Sequence, residues 1–290
     1  MGWAEPYIAV DWGTTNRRAW RIEAGGVDDE FEDARGVLSV ARAEFPAAVA
    51  EIRQRLGDHP LLMAGMIGSN RGWVEAPYVP CPAGLDEVAA RLAWAEPGRT
   101  AIVPGLSSDP PDVMRGEEVQ LLGAVEAGLM PRDAIVCHPG THNKWARVEA
   151  GRVTGFRTVM TGEMFSLLKS HSILSDLLSD AMAAGDAFRA GVARALEGEP
   201  LTAGLFAVRA GVLLGGLRKE DATDFTSGLL IGADIAFGLA EAPPGAIVVM
   251  GRPELTSLYA AALDVAGRQS LVVDGEAAFL AGIRGIAERL

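Results

Sequence analysis

Two short stretches of this 290-residue chain each run from an apolar segment through glycine and hydroxyl residues into a polar exit. They are Tyr7-Ile-Ala-Val-Asp-Trp-Gly-Thr-Thr-Asn16 and Ala134-Ile-Val-Cys-His-Pro-Gly-Thr-His-Asn143. They align without a gap, Gly13-Thr14 on Gly140-Thr141, Asn16 on Asn143 and Arg17 on Lys144. The pattern is that of a buried strand turning through a hairpin. A tight turn whose N–H groups are unpaired forms an anion-binding nest, and that suits phosphate. Gly13, Thr14 and Thr15 are the first set of candidate phosphate contacts, and Gly140, Thr141 and His142 the second. Two such tips facing each other across a cleft would hold a nucleotide tail; the bland alternative is a pair of unrelated hairpins.

Asp11 ends the first apolar run. A carboxylate there either holds Mg²⁺ through water, since Mg²⁺ takes few protein ligands, or caps the turn through its own side chain. His138 stands at the matching position of the second copy, so the two tips differ chemically. Neither a Walker A sequence nor a Gly-x-Gly-x-x-Gly motif after a strand is present, which excludes those phosphate cradles.

The other chemistry-bearing residues lie between and after the tips. In Val113-Met-Arg-Gly-Glu-Glu-Val-Gln-Leu-Leu-Gly123 a glycine leads into a helix with Glu117 and Glu118 in its first turn. Acidic residues there offset the helix dipole, or one of them serves as general base for an alcohol, with Glu117 ahead of Glu118. Ser69, Asn70 and Arg71 sit with Trp73 and Tyr78 on a glycine-rich loop, a mixture of polar groups and flat surface that a sugar needs. Asn16 joins the substrate candidates, and Arg17, Arg71, Arg115 and Lys144 are the cations on offer to a substrate carboxylate. Gly251, ending a strand before a helix, would let a flat base approach the backbone, or is a plain turn.

The elements that must position these residues read as an α/β protein. The first half is predicted as strands at 7–11, 17–23 and 27–34, a helix at 46–56, a strand at 60–65, a helix near 84–94, a strand at 100–104 and a helix at 117–127. The second half gives strands at 134–138, 143–149 and 152–160, mostly helical sequence over 161–240, then strand 246–250, helix 254–266, strand 270–274 and helix 276–289. Three antiparallel strands followed by helix–strand alternation, used twice, predict two mixed sheets flanked by helices. The two domains divide near Pro131-Arg-Asp133, as 1–131 and 132–290. A net charge of −12 argues against a generic nucleic-acid surface. No apolar run reaches the about 20 residues that span a bilayer, and the start lacks a signal-peptide pattern. Two cysteines make neither a disulfide framework nor a metal motif, so the expectation is a cytoplasmic protein.

Taken together, these residues resemble the sugar kinase, Hsp70 and actin superfamily, and within it the 2-dehydro-3-deoxygalactonokinase family. The stretches that carry the resemblance are Asp11-Trp-Gly-Thr-Thr-Asn-Arg17, Met63-Ala-Gly-Met-Ile-Gly-Ser-Asn70 with Gly72-Trp73, and Met114-Arg-Gly-Glu-Glu118 with Gln120-Leu-Leu-Gly123. Pro139-Gly-Thr-His142 with Lys144-Trp145, Phe156-Arg-Thr158 with Thr161-Gly-Glu163, and Ser227-Gly-Leu-Leu-Ile-Gly-Ala233 complete the set. The resemblance implies two related lobes of the actin-like, ribonuclease H-like ATPase type with a central cleft, closing over Mg-ATP and a sugar acid. It implies phosphorylation of the 6-hydroxyl of 2-dehydro-3-deoxy-D-galactonate in galactonate breakdown. Two departures from the superfamily stand out: the Glu117-Glu118 pair replaces the usual catalytic aspartate, and the second tip lacks an acidic residue, leaving Asp11 to position the metal. The rival readings are a phosphoanhydride hydrolase and a non-catalytic sugar or nucleotide sensor on the same fold. The sequence assigns no oligomeric state and no preference between the galactonate and gluconate epimers.

Overall fold

The computed structural model describes residues 3, 6–179 and 181–290. The chain divides into two compact units. The first gathers the residues up to Asp133 together with Val148–Phe156 and Glu276–Leu290, and the second holds Ala134–Arg147 and Arg157–Gly275. This differs from two unbroken lobes meeting at 131/132, because a hairpin tip and the C-terminal helix group with the first unit.

The elements of the first half are β1 (Tyr7–Trp12), β2 (Arg17–Glu23), β3 (Gly26–Asp33), α1 (Phe45–Leu56), β4 (Leu61–Gly65), β5 (Tyr78–Pro80), α2 (Leu85–Ala89), β6 (Ala93–Glu96), β7 (Thr100–Ile102), β8 (Gly105–Ser108), β9 (Asp112–Met114) and α3 (Glu117–Glu126). A six-stranded sheet runs β3-β2-β1-β4-β7-β6, and β5, β8 and β9 make a small second sheet. β1 pairs antiparallel with β2 and parallel with β4. It is covered on both faces, so five of its six residues are buried and it reads as a nearly continuous apolar run. One face packs on α1, whose Phe45, Ala48, Val49, Ile52 and Leu56 recur at helical spacing and are buried. Pro46 in its first turn and Gly57, at φ 98°, bound that helix.

The second half continues with β10 (Ala134–His138), β11 (Asn143–Glu149), β12 (Arg152–Val159), α4 (Thr161–His171), α5 (Asp186–Leu196), α6 (Leu201–Leu213), α7 (Ala222–Leu239), β13 (Ile247–Gly251), α8 (Pro253–Val265), β14 (Ser270–Asp274) and α9 (Gly275–Ala287). Its sheet runs β12-β11-β10-β13-β14, the same order as β3-β2-β1-β4-β7, so the duplication seen in the two tips extends to the topology of each unit. α5 and α7 pack backbone to backbone: a Cβ on Gly191 would meet the Phe225 carbonyl at 2.2 Å, and one on Gly228 the Phe188 carbonyl at 2.1 Å. The glycines of Ser227–Ala233 are therefore spent on helix packing, which leaves the opposite face of α7 to carry polar residues.

The predicted helix at 84–94 is cut short. α2 ends at Ala89, and Ala93–Glu96 pairs with β7 as an edge strand. The turn through Pro97-Gly98, with Gly98 at φ 71°, folds that segment back on its neighbour, and the tertiary pairing overrides local helix preference. The strands of the small sheet were not anticipated; three residues carry too little periodicity to register.

Candidate active site

The first tip is built by hydrogen bonds that fix which way its peptides face. The Gly13 N–H bonds the Asn16 carbonyl at 2.9 Å and closes the turn. The carbonyls of Gly13, Thr14 and Thr15 accept from Val37, Leu38 and Gly36 at 2.9, 3.2 and 2.8 Å. In a trans peptide N–H and C=O point oppositely, so these bonds turn the N–H groups of Thr14, Thr15 and Asn16 away from the 36–38 loop. Thr14 and Thr15 are exposed.

Asp11 leads into this tip. It sits directly across the β1–β2 ladder from Arg18, whose Nη2 donates to its Oδ2 at 2.7 Å, while Arg18 Nη1 reaches Glu276 Oε2 at 3.2 Å. Next to it two glycines bring a third segment close. Trp12 pairs with Gly65 at the end of β4, and a Cβ on Gly65 would lie 2.8 Å from the Trp12 carbonyl and 3.4 Å from Asp11 Oδ1. A Cβ on Gly116 would in turn lie 3.3 Å from the Gly65 Cα. Both glycines have positive φ, 91° and 107°, which side chains resist. Asp11, Gly65 and the start of α3 therefore converge at the carboxyl ends of two parallel strands, where ligands bind in open α/β sheets.

At that start the two glutamates separate. Glu118 Oε2 accepts the Gly116 N–H at 2.7 Å, and Glu117 Oε2 accepts the Arg115 N–H at 3.0 Å. Glu118 is fully buried and its Oε1 has no protein partner. Burial first, and the Glu117 charge second, push its carboxyl up to about 8, so it carries a proton at neutral pH. Glu117 is only half-buried. Arg115 stacks over the Tyr78 ring at 4.4 Å and donates Nη2 to the Ala76 carbonyl at 2.8 Å, while its buried Nε and Nη1 have no partner.

The sugar-like loop behaves unevenly. Asn70 and Arg71 are exposed. Ser69 is buried and its Oγ accepts the Arg71 N–H at 3.2 Å, shaping the loop. Trp73 packs on the core of the first unit. Asn16 Nδ2 donates to Glu32 at 3.1 Å. Arg17 is placed otherwise than expected. It is completely buried, donates to Asp33 Oδ2 at 2.7 Å and to the Ala48 carbonyl at 3.2 Å, and lies over the Trp12 ring at 4.9 Å. With its donors engaged inside the core it has nothing to offer a substrate carboxylate, and it leaves the substrate set. Burial pushes Asp33 up, and the Arg17 hydrogen bond and charge outweigh that to hold it below its ordinary range.

The second tip is held in the same manner by a different element. The Glu163 N–H donates to the Thr141 carbonyl at 2.9 Å, and a Cβ on Gly162 would come within 2.5 Å of the Gly140 carbonyl. Lys144 is buried and donates Nζ to the His142 carbonyl at 2.9 Å, so it braces the tip from behind. The tip lacks an acidic residue in sequence, yet Glu163 reaches it in space through a hydrogen bond with the His142 ring. Gly140, Thr141, Thr161 and Gly162 line one side of a cavity of about 240 Å³ whose other walls are mostly apolar, including Phe165, Leu230, Leu255 and Leu258, with Ser227 and Tyr259 among them. Gly251 lies beside the Pro139 backbone at the end of β13, at φ 145°.

Comparison with known proteins fits this geometry. The family model for 2-keto-3-deoxy-galactonokinase matches residues 11–286. The chain belongs to the 2-keto-3-deoxy-galactonokinase family. It is similar to the 2-dehydro-3-deoxygalactonokinase of Escherichia coli K12, 39% identical over 288 residues that cover 97% of each chain. A Rhizobium meliloti protein assigned the same activity is 41% identical over 302 residues, 98% of this chain and 97% of that one. A crystal structure of a Sinorhizobium meliloti protein also assigned to this kinase family superimposes with a TM-score of 0.90 at 40% identity, over 97% and 98% of the two chains. The dehydratase activator of Clostridium difficile, solved with bound ADPNP, matches at a TM-score of 0.51 and 11% identity, and shares the actin-like ATPase fold.

Three residues of this kinase-family chain escaped sequence reasoning. Arg18 was eclipsed by Arg17, although a four-residue tip already sets residue 18 across from residue 11. Glu163 lies in the Thr161-Gly-Glu163 stretch, far from the tip in sequence. Asp234, whose buried carboxylate accepts from Asn143, Trp145, Thr161 and Tyr259, is signalled only as a lone acid in the apolar run Leu229–Leu239. Among the described residues no helix is long and apolar enough to cross a membrane.

Proposed function

We propose that the protein is an ATP-dependent kinase that transfers the γ-phosphate to the 6-hydroxyl of 2-dehydro-3-deoxy-D-galactonate. The observation that carries the reading is the close approach of Asp11 to Gly65 and of Gly65 to Gly116, which brings the strand that leads into the 13–15 tip beside the start of the helix that carries Glu117, in a chain of this kinase family. A phosphate nest beside a carboxylate that can accept a proton is what phosphoryl transfer to an alcohol requires.

Glu117 is the general base. It is accessible and anchored through the Arg115 N–H, whereas Glu118 is sealed from solvent and already protonated. Arg115, with two buried donors unmatched, supplies the cation that a substrate carboxylate neutralises, and Ser69, Asn70 and Arg71 bind its hydroxyls. The apolar cavity of the second unit takes the adenosine, and the Gly140-Thr141-His142 tip takes phosphate oxygens. Transfer then needs both bound substrates to be brought together with water excluded, since water competes as acceptor.

Asp11 fits Mg²⁺. Mg²⁺ uses one or two carboxylates plus phosphate and water oxygens, and Asp11 Oδ1 remains for it while Arg18 holds Oδ2. Among the described residues no group of three or more His, Cys, Asp or Glu is placed to hold a metal ion. When bound, the ion neutralises charge on the phosphate oxygens. We place this activity in the cytoplasm, where ATP is at hand as phosphate donor.

The test is a panel of sugar acids with Mg-ATP, following ADP and locating the new phosphate by NMR. Phosphate on the 6-position of the galactonate compound is expected. ADP release at the same rate without any sugar acid would instead establish a hydrolase, and preference for the gluconate epimer would change the substrate.

A further inference from the structure

Among the described residues of the second unit, one buried acid that accepts four hydrogen bonds has no part in the scheme above. Asp234 projects from α7 and is 2% exposed. Its Oδ1 accepts the Trp145 indole N–H at 2.7 Å. Its Oδ2 accepts the Asn143 amide at 2.8 Å, the Thr161 hydroxyl at 2.5 Å and the Tyr259 hydroxyl at 2.6 Å. Burial pushes this carboxyl up and leaves it above its ordinary range, against the opposing pull of the four donors. The indole and the amide NH₂ can only donate, so these two bonds need carboxylate oxygens as acceptors. The neighbouring Cys137 thiol is itself pushed up, first by burial and then by the Asp234 charge, and stays neutral.

The four donors come from three elements that meet the second tip. Asn143 directly follows the tip and Trp145 stands two residues further along β11. Thr161 opens α4, and the next residue, Gly162, is packed against the Gly140 carbonyl. Tyr259 lies on α8. Thr161 and Tyr259 also line the cavity with Gly140 and Thr141, whereas Asp234 and Trp145 do not. One carboxylate thus ties the tip's exit strand to two walls of the cavity.

We propose that Asp234 is the positioning residue of the nucleotide site: without touching the ligand, it fixes the 139–142 tip and the Thr161 and Tyr259 walls in the arrangement that binds a nucleoside polyphosphate. This rests on the nucleotide reading of the cavity given above. Buried carboxylates that hold several donors act as one unit, and displacing a binding group by a fraction of an ångström is costly.

The experiment is calorimetric titration of the full chain with ADP, paired with steady-state KM for ATP and for the sugar acid. The variants are Asp234→Asn, Trp145→Phe and Tyr259→Phe. Asparagine matches aspartate in size but turns an N–H₂ toward groups that are themselves donors. Asp234→Asn is expected to weaken ADP by about tenfold or more. Trp145→Phe, which removes one donor without touching the cavity, should weaken it by a smaller factor in the same direction. KM for the sugar acid should stay within about twofold of wild type, because that site is built from other residues. Should Asp234→Asn fail to fold, Trp145→Phe and Tyr259→Phe decide. Folded variants that bind ADP as wild type does would overturn the proposal, as would parallel losses for both substrates. Wild-type protein that fails to bind ADP would sink the nucleotide reading and this inference with it; wild-type binding with indifferent variants would sink this inference alone.

Discussion

Replacing Glu118 by glutamine should alter how stability depends on pH. Glu118 is fully buried, and its folded-state value lies at about 8 against an ordinary 4.5. The folded value is raised, so its contribution is fully present below about pH 4.5 and is lost as pH rises toward 8. In that window the unfolded chain releases a proton that the folded chain keeps, and stability falls by up to about 1.4 kcal/mol per pH unit. Between about pH 5 and pH 7 the loss amounts to about 2.5 kcal/mol. Glutamine does not titrate, keeps an oxygen for the Gly116 N–H and sets an amide where the unpartnered Oε1 stands. The stability difference, variant minus wild type, should therefore grow by about 2.5 kcal/mol between those pH values and level off above about pH 8. Urea unfolding of both proteins at half-unit pH steps measures it, and groups common to both cancel in the difference. Parallel curves would show that Glu118 is ionised when folded, and the assignment of the base to Glu117 would lose its main argument.

The remaining predictions concern other parts of the site. Glu117→Gln should lower kcat by about 10²- to 10⁴-fold with KM values little changed, while Glu118→Gln retains most turnover; the reverse ranking in a coupled ADP assay would exchange the two roles. Arg17→Met should cost about 3 kcal/mol by leaving Asp33 and the Ala48 carbonyl unmatched, seen as a fall in Tm; an unchanged Tm with a raised KM for the sugar acid would return Arg17 to the substrate set. In Gly162→Ala the new methyl would press on the Gly140 carbonyl from 2.5 Å, displacing the tip and weakening ADP by about tenfold in calorimetry while the melt stays cooperative; unaltered affinity would detach this tip from nucleotide binding. Asp11→Ala should abolish Mg-dependent turnover and leave the fold intact, since it removes a partner from Arg18 but no buried apolar contact.

The strands and their doubling were legible because local chemistry dictates them. Apolar runs such as Tyr7–Trp12 bury both faces, and glycine-hydroxyl tips must turn. The chemistry-bearing residue types at the first tip and at the start of α3 were legible for the same reason. What each does was decided at longer range. Arg17 and Arg18 are adjacent in sequence and opposite in fate: the alternation of a strand sends one into the core against Asp33 and sets the other across from Asp11. Glu117 and Glu118 look interchangeable until the packing of α3 seals one carboxyl from water and leaves the other accessible. Asp234 acquires a meaning only when β11, α4 and α8 bring four donors to it from residues 25 to 91 positions away. The chain's own pattern of apolar, glycine and acidic residues determined that two glycine-hydroxyl turns and an acid at a helix start would form. Which charges are buried, which remain open and which merely hold others in place depends on desolvation and donor geometry, and those exist only once distant segments have packed.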